Sequence, residues 1–233
     1  MASAKKVGRV IALALSVQVL LAPQVYFAWM RPITGSRFLA EAAGIAPLIR
    51  ICLLLTFLLS AMTFIAAIAA LPLFRAYSER MALSFLALSI IGFGTLAMEN
   101  VVLRNMLALS EEYAKGATAK ELLQVLGGIA RETWLGAHFT NLTISHGTIF
   151  LLFTILYRFA LVPRLLAGLG MAASAVSTAA VAMPLLGRDF VFQLVGPTGL
   201  CIVALILWLF VRGLEERQPT LKPAIELPRI GIP

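Results

Sequence analysis

Six apolar runs, at about residues 10–30, 48–74, 81–108, 133–157, 164–186 and 190–211, occupy most of this chain and decide its solvent. At 1.5 Å per helical residue, each is long enough to cross a hydrocarbon layer of roughly 30 Å. No water is present there to satisfy backbone amides, so runs of this kind must close their own hydrogen bonds as helices. Hydrophobic residues make up 61% of the chain, too many for a water-soluble surface of this size. The expectation is an all-α fold, a polytopic transmembrane bundle of six helices. Residues 1–213 form the transmembrane domain, and 214–233 form a cytoplasmic tail in which Pro219, Pro223, Pro228 and Pro233 prevent a long helix.

A net charge of +8 suggests nucleic acid at first sight, but the cations sit at the ends of the apolar runs, where membrane topology requires them. With a cytoplasmic N-terminus, eleven Lys and Arg fall on the inner side and eight on the outer, from Arg31 to Arg188. Both termini are therefore placed on the cytoplasmic side. The first run resembles a signal peptide in having Lys5, Lys6 and Arg9 before it. It lacks a small-x-small cleavage site, since Ala22 follows Leu20-Leu21 and Ala28 follows Tyr26-Phe27. Tyr26 and Trp29 read instead as interfacial anchors of a retained helix. Cys52 and Cys201 lie inside spans and supply neither a disulfide framework nor a thiolate metal site.

The hairpins Arg75–Arg80 and Arg158–Arg164 are short, and Pro163 suits the start of a helix. Segment 109–132 is the largest piece outside the spans. Thr118 and Glu121 have capping-box spacing, and Leu122, Val125, Leu126 and Ile129 follow as one apolar stripe. Gly127 and Gly128 weaken the end of that stripe. The segment therefore reads as one short outer amphipathic helix lying on the bundle, as a surface cover or as a lid. Gly170 and Ser174 give the fifth helix the small-xxx-small spacing that lets helix backbones approach, within a protomer or between protomers. Pro23 and Pro197 are expected to bend the first and sixth helices.

Ionisable groups inside a bilayer are costly, roughly 2.5–3.5 kcal/mol each at a helix centre, so their depth is informative. The third helix carries Glu99, Asn100, Arg104 and Asn105 toward its outer end; the fourth carries Trp134, His138, Asn141, Ser145 and His146. Counted from a helix start near residue 133, His138 lies ~8 Å down, at a depth similar to Glu99. At 100° per residue Trp134, His138, Asn141 and Ser145 share a face, with His146 turned about 80° away. Asn100 shares a face with Arg104, and Glu99 points elsewhere. Gln24 and Gln193 also fall in the outer half. The pattern predicts a polar cavity whose ligand-binding residues are Glu99, Asn100, Trp134, His138, Asn141 and Gln193, with Glu99 and His138 as its central pair. The competing reading is a hydrogen-bond network that only fixes packing.

Two histidines at this angle make an awkward metal site, and no phosphate loop or nucleophile elbow occurs. No cofactor can be named. The preferred function is a non-catalytic protein that binds a lipid-like or small amphipathic ligand in the outer-half cavity, with membrane lipids as partners and no nucleic acid. The alternatives are an accessory or scaffold subunit of a membrane complex or homo-oligomer, and an intramembrane enzyme using the Glu–His pair. A transporter ranks lower, because no internal repeat accompanies Pro23 and Pro197.

The run His146-Gly147, then Tyr157-Arg158 and Leu161-Val162-Pro163-Arg164-Leu165-Leu166-Ala167-Gly168-Leu169-Gly170, resembles the bacterial membrane family catalogued as domain of unknown function 4386. The stretch from Gly196-Pro197 to Leu207-Trp208-Leu209-Phe210-Val211-Arg212-Gly213 is similar to that family's last helix. The likeness covers roughly residues 8–214 and is most specific in the final 70 or so. It implies six helices in a bacterial plasma membrane and supplies no activity or catalytic residues. The Ala-rich stretch from Ser174 to Ala182 departs from the more polar fifth helix common in the family.

Overall fold

The computed structural model describes residues 4–116 and 119–215, and all regular structure among them is helical. Six long helices carry the fold: α1 (Ala4–Pro23), α2 (Ala46–Tyr77), α3 (Glu79–Ala114), α4 (Lys120–Arg158), α5 (Arg164–Ala182) and α6 (Gly196–Val211). A π-helical turn, Gln24–Trp29, prolongs α1, and a 3-10 turn, Met183–Leu186, prolongs α5. Each of the six is long and apolar enough to cross a membrane. The protein is a multi-pass membrane protein with the all-helical, six-span architecture expected.

The helices pack in chain order, and α6 closes against α1 to complete a ring. Two glycines permit that closure. A Cβ on Gly8 would lie 2.9 Å from the Leu214 backbone nitrogen, and one on Gly213 would lie 2.9 Å from Lys5 Cα. Gly213 also has φ +74°, a conformation that L side chains rarely adopt. The Glu215 amide then donates to the Leu161 carbonyl at 2.9 Å, pinning the end of α6 to the α4–α5 turn. This is the terminal end of the bundle; the opposite end is the loop end. Residues 216–233, most of the expected Pro-rich tail, lie outside the described residues.

The helices differ in reach. The segments containing α2, α3 and α4 run 35, 36 and 39 residues, whereas those of α5 and α6 run 23 and 20. About 20 residues suffice to cross a bilayer, so α2–α4 continue ~20 Å or more past it at the loop end. This corrects the separate outer amphipathic helix. Leu122, Val125, Leu126 and Ile129 belong to the first turns of α4, which runs unbroken through Gly127 and Gly128. Gly127 is buried against Leu39, whose Cδ1 would lie 2.7 Å from an added Cβ, so this glycine is a close-packing position and not a helix stop. Thr118 of the expected capping box lies outside the described residues.

Two apolar cores result. One, toward the terminal end, draws on all six helices and includes Phe74, Phe153, Leu156, Leu205 and Leu209. The other, toward the loop end, joins Val25, Met30, Ile33, Phe38, Ile49 and Met106 with Trp134. The short helices Arg31–Thr34 and Phe38–Glu41 supply part of it. Ser110 of α3 anchors them, donating to the Leu39 carbonyl at 3.0 Å and accepting from the Ala43 amide at 2.8 Å. Between the cores lie buried polar residues, among them Thr56, Glu99, Asn100, Asn141, Ser177 and Thr198.

The prolines act differently from one another. At Pro23 the α-helix gives way to the wider π turn, consistent with the amide that proline lacks. Pro197 sits in the first turn of α6, where the missing N–H has no helical partner to lose, so it starts that helix and does not bend it. Gly170 faces the Phe153 ring, with ring carbons 2.3 Å from where a Cβ would stand. The small residues at this level therefore serve the α4–α5 contact within one protomer. Gly170→Ala should lower unfolding stability by about 1–3 kcal/mol through overpacking. Gly94→Ala, where an added Cβ meets nothing within 4 Å, should be neutral or slightly stabilising. Thermal unfolding of the two variants in one detergent compares them directly.

Candidate functional site

Antiparallel packing of α3 on α4 brings two helical pairs face to face. Thr95 and Glu99 stand one turn apart on α3, and His138 and Asn141 stand one turn apart on α4. Glu99 is fully buried at 0% exposure. Its Oε1 lies 2.8 Å from His138 Nδ1, and its Oε2 accepts from Asn141 Nδ2 at 2.9 Å. The Thr95 hydroxyl is shared between Asn141 Oδ1 at 3.3 Å and the Gly92 carbonyl at 3.0 Å. Both carboxylate oxygens are thereby satisfied, the condition under which a buried acid is tolerable.

The arrangement constrains the imidazole. A carboxylate can only accept, so an ionised Glu99 requires a proton on His138 Nδ1 and directs Nε2 to other work. Nε2 makes no hydrogen bond among the described residues, and the His138 side chain is 20% exposed. The ring stacks on Trp134 at 5.2 Å and meets Tyr26 at 5.8 Å and Phe139 at 5.6 Å. Phe139 touches Phe190, Phe190 touches Phe192, and Phe192 touches Phe27, next to Tyr26. This aromatic circuit joins the π turn of α1, the middle of α4 and the α5–α6 connection around His138. The site therefore lies level with that connection, near one membrane boundary.

Two further observations bear on what the site can hold. Trp134 Nε1 is buried and has no hydrogen-bond partner, leaving a donor beside His138 unused. Ser145, one turn beyond Asn141 on the same face, is exposed although Asn141, Thr148 and Leu152 around it are buried. Accessible surface thus reaches this inward face of α4 below the Glu–His pair.

Four of the six residues expected at the site, Glu99, Trp134, His138 and Asn141, come together. Asn100 does not join them. It accepts from Thr56 Oγ1 at 3.1 Å and donates to the Leu53 carbonyl at 3.1 Å, tying α3 to α2. Gln193 is exposed in the 3-10 turn Phe192–Leu194, with no side-chain hydrogen bond among the described residues. His146 lies apart, its Nδ1 2.9 Å from the Leu142 carbonyl on its own helix. Among the described residues no three His, Cys, Asp or Glu side chains converge as a metal set. The sequence reading missed Thr95, whose position four before Glu99 was the available signal. It also missed the role of Tyr26, taken as an interfacial anchor, which the turn following Pro23 holds beside His138. On the neighbouring pair of helices Gln18 of α1 donates to the Leu59 carbonyl at 2.9 Å and to Thr63 Oγ1, tying α1 to α2.

Residues 9–213 match the family model described as "Domain of unknown function (DUF4386)". The chain belongs to this family. The match takes in all six helices and ends at Gly213, the glycine that closes the ring on Lys5. No curated protein and no solved structure matches the chain.

A double-mutant cycle checks the pairing within this DUF4386 member. Glu99→Gln and His138→Ala should couple by about 1–3 kcal/mol in unfolding free energy, as for side chains that share a network. Asn100→Ala and His138→Ala, on separate networks, should add within about 0.5 kcal/mol.

Proposed function

We propose that the protein binds a small amphipathic, lipid-like molecule at the membrane boundary without converting it, and that His138 holds the polar end. The observation that carries this reading is the division of labour within one ring: Nδ1 is engaged by Glu99 at 2.8 Å, and Nε2 is left open. A ligand hydroxyl or N–H would donate to Nε2 of the neutral ring. The unpartnered Trp134 N–H offers a complementary donor nearby. Aromatic side chains form the surroundings, and Phe27 and Phe192 are exposed on the side where an apolar tail would leave the bundle. Small-molecule sites commonly combine such apolar walls with a few fixed polar groups.

One observation favours a second reading. A carboxylate bonded to one imidazole nitrogen also orients a general base through the other, so the same pair would serve an intramembrane enzyme. The two readings differ in what the protein retains. Full-length protein extracted in native lipid discs is analysed by mass spectrometry for bound amphiphiles. His138→Ala and Glu99→Gln should each reduce one retained species at least about tenfold, the loss of about 1.4 kcal/mol of binding. Asn100→Ala should leave it in place. A retained species that is chemically altered between wild type and Glu99→Gln indicates conversion and favours the enzyme. Unchanged retention across all variants rejects both.

A further inference from the structure

The outward side of α4 has the wrong character for its surroundings from Leu122 to Gly147. The register set by the Glu99–His138 and Thr95–Asn141 contacts, carried toward the loop end, places Leu122–Ile129 level with Ala108–Lys115 of the α3 end. At that level Arg50 pairs with Glu111 at 2.6 Å, and Lys115 pairs with Glu112 at 2.6 Å. Ion pairs this exposed belong in water. Yet Leu122, Val125, Leu126 and Ile129 are 58%, 61%, 40% and 61% exposed there. An apolar helical stripe in an aqueous part of a protein ordinarily faces something that covers it. Among the described residues the chain's own cover is on the other side of the helix, where Leu39 lies against Gly127.

Farther along, where the helix enters the bilayer, the same side turns small. Gly136 and Thr140 are exposed, followed at helical spacing by Thr143 and Gly147. A Cβ added to either glycine would meet nothing within 4 Å. The hydroxyls of Thr140 and Thr143 are satisfied within the helix by the Gly136 and Phe139 carbonyls, at 2.8 and 2.7 Å. The outward side of α2 shows what contact with lipid looks like in this protein, with Leu58, Ile65 and Ile68 exposed. In hydrocarbon a small, smooth helix surface favours close approach of a second helix.

We propose that this side of α4 is the interface with a second copy of the chain, the two protomers related by a two-fold axis along the membrane normal. Such an axis sets each level of α4 against the same level of its partner. Leu, Val and Ile then meet their counterparts in water, and Gly and Thr meet theirs in the bilayer, the self-complementary pattern of an isologous contact. A partner helix must change character at the same depth, and α4 itself does so. Charge agrees: a chain of net charge +8 self-associates most readily through a face that carries no Lys or Arg. Glu132, at the edge of the face, already has Arg131 at 3.6 Å.

Cysteine cross-linking in native membranes tests the interface. In a full-length Cys52→Ala, Cys201→Ala background, Ile129→Cys and Thr140→Cys should each give a covalent dimer on oxidation. Leu58→Cys on α2 should not. Native mass measurement in lipid discs should show a dimer whose population falls at least about tenfold with Val125→Glu plus Gly136→Leu. Neither of these changes touches a buried side chain, and an unaltered melting profile of the double variant confirms the fold. Cross-linking at only one level, an adduct solely with a different protein, or a dimer that persists in the double variant each overturns the proposal.

Discussion

Burial of Glu99 is the constraint on which the rest of the structure depends. A carboxyl group at that depth with no partner would carry an uncompensated cost of several kcal/mol. It is satisfied only if His138 and Asn141 arrive together, and Asn141 is itself oriented by Thr95. Four side chains therefore fix one register between α3 and α4. That register carries Trp134 into the loop-end core and Phe139 onto Phe190 of the α5–α6 connection. Sliding either helix by a turn would leave the carboxylate unpaired and pull both contacts apart.

The two-core arrangement follows from the same layer. Apolar packing holds the bundle above and below, and three polar groups of the layer between the cores bond across helices: Gln18 to α2, Asn100 to α2, and Glu99 to α4. The loop-end core also explains why α2–α4 can outrun the bilayer. The inner faces of their extended ends remain covered because residues 30–45 fold back on them, with Ser110 and Leu39 making the join. The His138 ring is placed where these two regimes meet, with hydrocarbon-embedded helices on one side and water-facing helices on the other.

The six spans were legible in the sequence because hydropathy over some 20 residues outweighs every local signal. Glu99 and His138 were legible for a related reason: charged groups are so scarce in the spans that two at one depth draw attention to each other. Asn100 was harder. It shares Glu99's depth but points 100° away around α3, and depth alone does not choose between α2 and α4 as its neighbour. Gln193 fell outside the site because α6 starts at Gly196, later than its apolar run suggests. The length of α4 was hidden by Gly127-Gly128, which costs helix propensity of about 1 kcal/mol per glycine. Tertiary packing of Leu39 onto Gly127 overrides that cost, and no local pattern announces a contact between residues so distant in the chain.

The central claim is a direct contact between the Glu99 carboxylate and the His138 imidazole inside the bundle. Solid-state NMR on full-length protein in lipid bilayers, with Glu and His labelled, reads it most directly. The expected result is a through-space correlation between the Glu99 carboxyl carbon and His138 Nδ1, lost in Glu99→Gln with the remaining spectrum preserved. A His138 ring with no correlation to Glu99, in a protein whose other interhelical contacts are intact, would contradict it.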